Sequence, residues 1–332
     1  MNKRNLGGSG LEITTLGFGS WATGGGGWAF GWGPQDDDAS VAAIRHAVGQ
    51  GVNWVDTAGV YGLGHAEEVV GRAIRDIPAA ERPLVFTKGG LTWDPANPSL
   101  PARRISHPDS LRRDIEASLR RLDVERIDLF QIHWPDESGV PLEDSWGEMA
   151  RFVQEGKARA IGVSNYDVAR LERIDKVHHV DSLQPPLSLI NRGSARDVIP
   201  WARAHGTGVI VYSPMASGIL TDSFGPARVA AMADDDWRKR STNFTEPELS
   251  KNVALRDVLV PIAKRHGATV SAVALAWAVA WPGVTGAIVG ARSPEQVDGW
   301  IGAASFELTL QDRREIEAAV AATGAGNGPV EP

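Results

Sequence analysis

Val52-Asn53-Trp54-Val55-Asp56-Thr57-Ala58-Gly59-Val60-Tyr61-Gly62 opens as a short apolar run, meets an acid and passes into a turn that carries a phenol. An apolar run of this length bounded by turn residues reads as a buried parallel strand. The same pattern recurs in both directions: Thr15 to Gly19 lies before it, and Leu84 to Thr87, Ile127 to Ile132, Ala158 to Val163, Val180 to Leu183, Val209 to Tyr212 and Gly286 to Val289 lie after it. Helical patterns separate these runs. Leu111, Ile115, Leu119 and Leu122 line one face of a helix that opens near Ser106-His107-Pro108. Eight strands alternating with helices, without a break in composition, predict an α/β fold: one closed (β/α)8 TIM barrel over residues 1–332 rather than an open sheet.

Several helix ends are legible. Asp36-Asp37-Asp38 precedes a helix from Val41 to Gln50 that stops at Gly51, a second helix from Glu143 to Glu155 stops at Gly156, and Ser194 and Gly206 bracket a third. Lys3 to Leu6 and Glu12 to Thr14 flank Gly7-Gly8-Ser9-Gly10, which predicts a short N-terminal hairpin before the first barrel strand. Two insertions stand out: the Gly/Trp-rich loop Trp21 to Gly33 and the polar stretch Thr221 to Ser250. Loops of that length in a compact barrel are functional or mobile.

The chain of 332 residues is 42% hydrophobic and 23% charged, the composition of an ordinary globular protein. A net charge of −7 leaves no basic footprint for nucleic acid or an anionic membrane. There is no cysteine, which removes disulfides, thiolate zinc sites and a cysteine nucleophile. Met1 to Leu11 lacks the apolar core of a secretory signal, so the expected location is the cytoplasm. Between Arg265 and Arg292 no charged residue occurs, but Trp281-Pro282-Gly283 interrupts the run; a buried helix followed by a buried strand is expected, not a membrane span.

Polar residues fall at the carboxyl ends of three strands. Asp56 follows Val55, Lys88 follows Thr87 and His133 follows Ile132. In a barrel those ends meet on one face, and Tyr61 leans over it from the loop after Asp56. Carbonyl reduction needs a proton donor for oxygen while hydride arrives at carbon, and a phenol can supply it. A cationic Lys88 lowers the phenol's pKa, Asp56 pairs and fixes the ammonium, and His133 polarises the carbonyl. Taken singly, Asp56 also reads as a helix cap, Lys88 as a solvated strand end, His133 as a satisfied histidine and Tyr61 as a packing aromatic.

Asp56-Thr57-Ala58-Gly59-Val60-Tyr61-Gly62, Thr87-Lys88 and Gln131-Ile132-His133-Trp134 resemble the catalytic segments of the aldo-keto reductase superfamily. By that resemblance Asp56, Tyr61, Lys88 and His133 take the four catalytic positions, with Tyr61 the acid in reduction and the base in oxidation. The resemblance extends to a cofactor groove. Ser164, Asn165 and Gln184 would hold the nicotinamide carboxamide, the Tyr212 ring would stack on the nicotinamide, and Ser213, Pro214, Met215, Ser217, Gly218 and Leu220 would follow the pyrophosphate. Trp21 would lie beside both cofactor and substrate. Read without the resemblance, Ser164-Asn165 and Ser213-Pro214 are ordinary turn chemistry.

Gly290-Ala291-Arg292-Ser293-Pro294-Glu295-Gln296 is a strand-to-helix turn. Its Gly290, Arg292, Ser293 and Gln296 could hold an adenosine phosphate, which favours NADP(H) while leaving NAD(H) possible, and Ser293 with Pro294 also reads as a plain helix start. Gly17-Phe18-Gly19-Ser20-Trp21-Ala22 satisfies a loose dinucleotide fingerprint, but Thr23-Gly24-Gly25-Gly26-Gly27 follows where a helix is required. The chain departs from the family pattern at Trp300, Ser223 and Leu187, where asparagine, lysine and tyrosine are frequent. Arg238, in Asp235-Asp236-Trp237-Arg238, reads either as a cofactor contact or as a solvated charge.

Of the 12 tryptophans, Trp21, Trp28, Trp32, Trp93, Trp134, Trp237 and Trp300 fall in loops or at strand ends. Trp21, Trp93 and Trp134, with Tyr61 and His133, are the expected substrate wall, and Trp28, Phe30 and Trp32 a lid. Trp54, Trp146, Trp201, Trp277 and Trp281 are expected in the core. The expected partner is a small carbonyl or alcohol; an aromatic pocket suits aldehydes, ketones, sugars and polycyclic alcohols alike, and no oligomeric state is implied. Competing readings are a cofactor-binding subunit resembling potassium-channel β subunits, against which the hairpin's position almost at Met1 argues mildly, and a lyase forming a Schiff base on Lys88. A metal site is not expected, because His178-His179 lack helical spacing and no His-Glu-x-x-His occurs.

Overall fold

A computed structural model describes residues 1–232 and 236–331. The strands are β1 (Lys3–Asn5), β2 (Glu12–Thr14), β3 (Leu16–Gly19), β4 (Trp54–Asp56), β5 (Leu84–Gly89), β6 (Leu91–Thr92), β7 (Arg103–Arg104), β8 (Ile127–Ile132), β9 (Ala158–Ser164), β10 (Ser182–Gln184), β11 (Gly208–Val211) and β12 (Gly286–Gly290). Eight of them, in the order β10-β11-β12-β3-β4-β5-β8-β9, close a parallel barrel. The helices are α1 (Asp37–Gly49), α2 (His65–Arg75), α3 (Pro108–Leu122), α4 (Leu142–Gln154), α5 (Val168–Asp175), α6 (Val198–His205), α7 (Pro226–Ala230), α8 (Glu248–Arg265), α9 (Val270–Ala280), α10 (Pro294–Ile301) and α11 (Leu310–Thr323). The architecture is the expected (β/α)8 barrel.

Strand alternation splits the apolar residues into two cores. Trp54, Phe86, Leu129, Ala160, Ile210 and Ile288 point inward and fill the barrel. Leu6, Leu11 and Ile13 of the antiparallel β1–β2 hairpin join that inner cluster, so the hairpin plugs the amino-terminal end and leaves the carboxyl ends of the strands as the open rim. The outward residues, among them Val55, Phe130, Ile161 and Val163, pack on the helices in a second, continuous core. Gly17 is explained here: a Cβ would run into the Trp54 indole. The segment after β3 is a single 3-10 turn, Trp21–Gly24, with no helix N-terminus for a pyrophosphate, which accounts for the failure of the apparent fingerprint.

The differences from expectation have local causes. Helix α1 starts at Asp37 rather than Val41, because the Asp36 carboxylate accepts the Ala39 N–H at 2.8 Å and caps a turn that polar residues occupy. The helix read from Ser194 begins only at Val198. Pro200 has no N–H to donate and fits only within the first turn, which Asp197 caps through Val198. Strand β10 lies at Ser182–Gln184, so it starts two residues later than the apolar run from Val180 and ends on Gln184. Trp300 was expected in a loop or at a strand end; it lies in α10 and is buried in the outer core, because its position faces the barrel side of an amphipathic helix. The five tryptophans read as core are buried. Asp235 lies outside the described residues.

Candidate active site

Lys88 sits one residue before the end of β5, and its side chain is fully buried. Its Nζ is 2.6 Å from Asp56 Oδ1, 2.8 Å from the Thr57 carbonyl and 3.3 Å from Tyr61 Oη. Three acceptors for three protons is the environment of an ammonium. The other carboxylate oxygen, Asp56 Oδ2, accepts from Gln184 Nε2 at 2.9 Å. His133 follows β8, and its N–H continues the ladder to Gly89 O at 3.0 Å. Its ring meets the Tyr61 ring edge-on at 5.6 Å. The three residues expected at strand ends and Tyr61 from the loop after Asp56 are therefore one cluster.

Tyr61 begins a 3-10 turn, Tyr61–Gly64, that packs against the Trp21–Gly24 turn. Gly62 makes the approach possible: its φ is +58°, and a Cβ there would collide with the Gly24 carbonyl. Because Lys88 donates to Tyr61 Oη, the phenolic proton is left to point elsewhere. Removal from water pushes the Tyr61 pKa up, and Lys88 offsets this only in part. The lowering expected from Lys88 is thus present in sign but outweighed by burial. Burial pulls Lys88 down, yet Asp56 and Tyr61 outweigh it and the ammonium is held above its ordinary range. Burial, reinforced by Lys88, keeps His133 well below the usual imidazole pKa and so neutral; its Nδ1 is buried without a hydrogen-bond partner.

The expected cofactor residues form a connected row. Ser164 Oγ donates to the Gln184 carbonyl at 2.7 Å, Asn165 Nδ2 donates to Ser164 Oγ and to the His133 carbonyl at 3.0 Å each, and Tyr212 Oη donates to Asn165 Oδ1 at 2.8 Å. Ser213, Ala216, Ser217 and Gly218 all have positive φ, so the chain after β11 turns tightly, and Asn165 after β9 is left-handed as well. The turn is closed by its own backbone: Ala216 N–H donates to the Ser213 carbonyl at 2.9 Å and Gly218 N–H to the Met215 carbonyl at 3.0 Å. Met215 is partly exposed there, whereas the Leu220 side chain is in the core and its N–H donates to the Met215 carbonyl at 3.2 Å. With the orphaned Gln131 Nε2 beside Gln184, these residues fit a nicotinamide dinucleotide.

Gly290 ends β12, and α10 follows with Ser293 at its N-cap position; Ser293 makes no side-chain cap bond. Gln296 Oε1 accepts the Arg292 N–H at 2.8 Å instead. The Arg292 guanidinium donates to the Pro34 carbonyl and to Gln35 Oε1.

Aromatic residues wall the other side of the cluster. The Trp21 ring stacks on Tyr61 at 5.9 Å and on Trp237 at 6.2 Å, and Trp28 and Trp32 tilt against it. Phe30 packs edge-on to Trp28 and is exposed. Trp134 lies under the Arg104 guanidinium at 4.3 Å, and Trp93 follows β6 without a ring contact to the others. Arg238 is no solvated charge: it pairs with Asp236 at 2.6 Å, covers the Trp32 ring at 4.8 Å and reaches the Ser217 carbonyl at 3.4 Å. It ties the long insertion to the turn after β11.

Two features were missed from sequence. Gln131 shares the inward face of β8 with His133, and period-two alternation could have found it. Glu67 of α2 is buried behind β5, accepting from Thr87 Oγ1 and Arg121 Nε at 2.6 Å each, and no local pattern marks it. Among the described residues, no group of three or more His, Asp or Glu could hold a metal ion, and no helix is long and apolar enough to cross a membrane.

Residues 15–321 match the model of the aldo/keto reductase family. The chain is 32% identical over 319 residues to aldo-keto reductase YhdN of Bacillus subtilis (strain 168), covering 95% of this chain and 92% of that protein. It is 29% identical over 323 residues to the NADH-specific methylglyoxal reductase of Escherichia coli (strain K12), covering 94% and 96%. Its fold superposes with a TM-score of 0.88 on the glycerol dehydrogenase AKR11B4 from Gluconobacter oxydans, at 35% identity and with 98% and 97% of the chains covered. The buried Asp–Lys–Tyr cluster, the neighbouring histidine and the barrel that gathers them are those of a chain that belongs to the aldo/keto reductase family.

Proposed function

We propose that this protein is an NADP(H)-dependent aldo-keto reductase that interconverts an aldehyde or ketone with an alcohol, with Tyr61 as general acid in reduction and general base in oxidation. The observation that carries the reading is the position of Lys88 Nζ, 2.6 Å from Asp56 and 3.3 Å from the Tyr61 phenol, at the rim of the barrel. A bound nicotinamide supplies or accepts the hydride. The chain's own residues do the rest. Tyr61 gives its proton to the carbonyl oxygen in reduction, and Lys88 stabilises the phenolate left behind. Asp56 keeps that ammonium charged and in place, and Gln184 fixes the carboxylate. Neutral His133 donates a hydrogen bond to the same oxygen and polarises it. Ser164, Asn165, Gln184 and Tyr212 would hold the nicotinamide end, and the turn from Ser213 to Leu220 the pyrophosphate.

Arg292 is the reason for preferring NADP(H): it is the cation beside the β12–α10 turn where an adenosine 2′-phosphate would sit. NAD(H) remains the second cofactor of this reading, in line with the relative named for NADH. Trp21, Trp93 and Trp134 would line the substrate pocket with Tyr61 and His133. A Schiff-base lyase is disfavoured because a nucleophilic lysine needs a lowered pKa, and that of Lys88 is raised.

The decisive experiment is Tyr61→Phe, followed by titration with NADPH and NADH and by turnover of a carbonyl panel. Loss of turnover by about 10² to 10⁴-fold with cofactor affinity retained is expected. The raised phenol pKa keeps the donor protonated through neutrality, so reduction in the parent enzyme holds level there and falls on the alkaline side, while oxidation rises. Comparable turnover in Tyr61→Phe would remove the phenol from the mechanism. Release of only a single turnover by the parent protein would favour the cofactor-binding subunit instead.

A further inference from the structure

The loop that precedes α1 occupies one of the two edges by which Arg292 can grip a phosphate. A guanidinium presents two edges for bidentate binding, the side-on edge formed by Nε and Nη2 and the end-on edge formed by Nη1 and Nη2. Here Nε donates to Gln35 Oε1 and Nη2 to the Pro34 carbonyl, so the side-on edge is filled by neutral acceptors from 257 and 258 residues away in sequence. The contact is reciprocal. Gln35 Nε2 donates back to the Arg292 carbonyl at 3.0 Å and to Ser40 Oγ at 2.9 Å, and Ser40 is fully buried at the start of α1. Gln296 Oε1 takes the Arg292 N–H at 2.8 Å, so the backbone donor of the same turn is engaged as well. Asp36, next along the chain, caps α1 by accepting the Ala39 N–H.

We infer that Gln35 is a specificity-setting residue: it competes with the cofactor's 2′-phosphate for the side-on edge of Arg292 and thereby sets how strongly NADPH is preferred over NADH. This rests on the reading, made above, that Arg292 meets that phosphate. A dianionic phosphate out-competes a neutral amide for the side-on edge of a guanidinium, and taking that edge means giving up the two hydrogen bonds to Pro34 and Gln35. NADH lacks the phosphate, leaves the contact intact and incurs no such cost. The preference is therefore smaller than an unencumbered arginine would give, and it is adjustable at a residue that itself touches neither hydride donor nor substrate.

The test is direct titration of NADPH and NADH, followed by tryptophan fluorescence, in the parent protein and in Gln35→Ala, Gln35→Glu, Arg292→Ala and the Gln35→Ala/Arg292→Ala double variant. Gln35→Ala is expected to tighten NADPH about five- to tenfold, the share of one charge-assisted hydrogen bond, and to leave NADH unchanged. Gln35→Glu gives Arg292 a charged partner and is expected to weaken NADPH about tenfold without weakening NADH by as much. Arg292→Ala is expected to weaken NADPH selectively, and Gln35→Ala should then have no further effect. If Arg292→Ala leaves NADPH affinity intact, the placement of the phosphate on Arg292 is wrong. If Arg292→Ala weakens NADPH while Gln35→Ala changes both cofactors equally, changes neither or weakens NADPH, the phosphate placement stands and the competition proposed for Gln35 is overturned.

Discussion

Lys88 and Arg292 are cations on one rim of one barrel, and they are held in opposite ways. Lys88 has no exposed side-chain surface and spends all three protons on Asp56, Thr57 and Tyr61. Arg292 is partly exposed and leans on a glutamine and a backbone carbonyl from a surface loop. The buried cation cannot rearrange without leaving a carboxylate unpaired in the protein interior, where a lost partner is costly. The exposed one can change partners at the cost of two hydrogen bonds to neutral acceptors that water replaces. The difference suits their tasks: proton transfer needs a fixed charge, whereas a cofactor that enters and leaves needs a contact that opens.

The sharpest way to break this comparison is to delete each cation in turn. Lys88→Met strands Asp56 and is expected to cost about 3–5 kcal/mol of stability, read by urea unfolding, with turnover falling at least as far as in Tyr61→Phe. Asp114 provides an intermediate case. This partly buried carboxylate on α3 accepts the Gly90 N–H at 2.8 Å, and burial pushes its pKa up to about 6 from the ordinary 3.8, against the pull of Arg121. The folded state therefore holds the proton more tightly than the unfolded state. Its contribution to stability is fully present below about pH 4 and is lost as pH rises through about 6. Asp114→Asn keeps an acceptor for Gly90 without the charge, so the variant should be about 1–2 kcal/mol more stable than the parent at pH 8, after allowance for solvent screening. Unfolding curves at pH 4 and pH 8 check this, since the gain should vanish at pH 4. The smallest effect belongs to Arg292→Ala, whose stability should stay within about 0.5 kcal/mol of the parent because its partners turn to water. A loss near that of Lys88→Met would show Arg292 to be a structural brace and erase the contrast.

The catalytic side was legible in sequence because strand ends are. A short apolar run that stops at Asp56, Lys88 or His133 announces both the strand and the residue at its open end, and barrel closure brings such ends together. The Trp21 to Gly33 loop was legible only as unusual. That Trp21 would stack between Tyr61 and Trp237 depends on how the long insertion folds back, and no spacing encodes it. Arg238 read equally well as a solvated charge until its position over Trp32 and beside Ser217 was known. Trp300 misled for a related reason: a single aromatic near a turn carries no signal of which side of the following helix it will face.

Local order along the chain determined the alternation of strands and helices, the plugging hairpin and the identities of the four residues at the rim, because each is written in neighbours a few positions apart. Only the tertiary structure decided that Gln184, 128 residues from Asp56, would fix its carboxylate, and that Gln35 would take the edge of Arg292. Those pairings join segments brought together by closing the barrel and docking its loops. Their geometry depends on the packing of everything between them, which leaves no pattern in either segment alone.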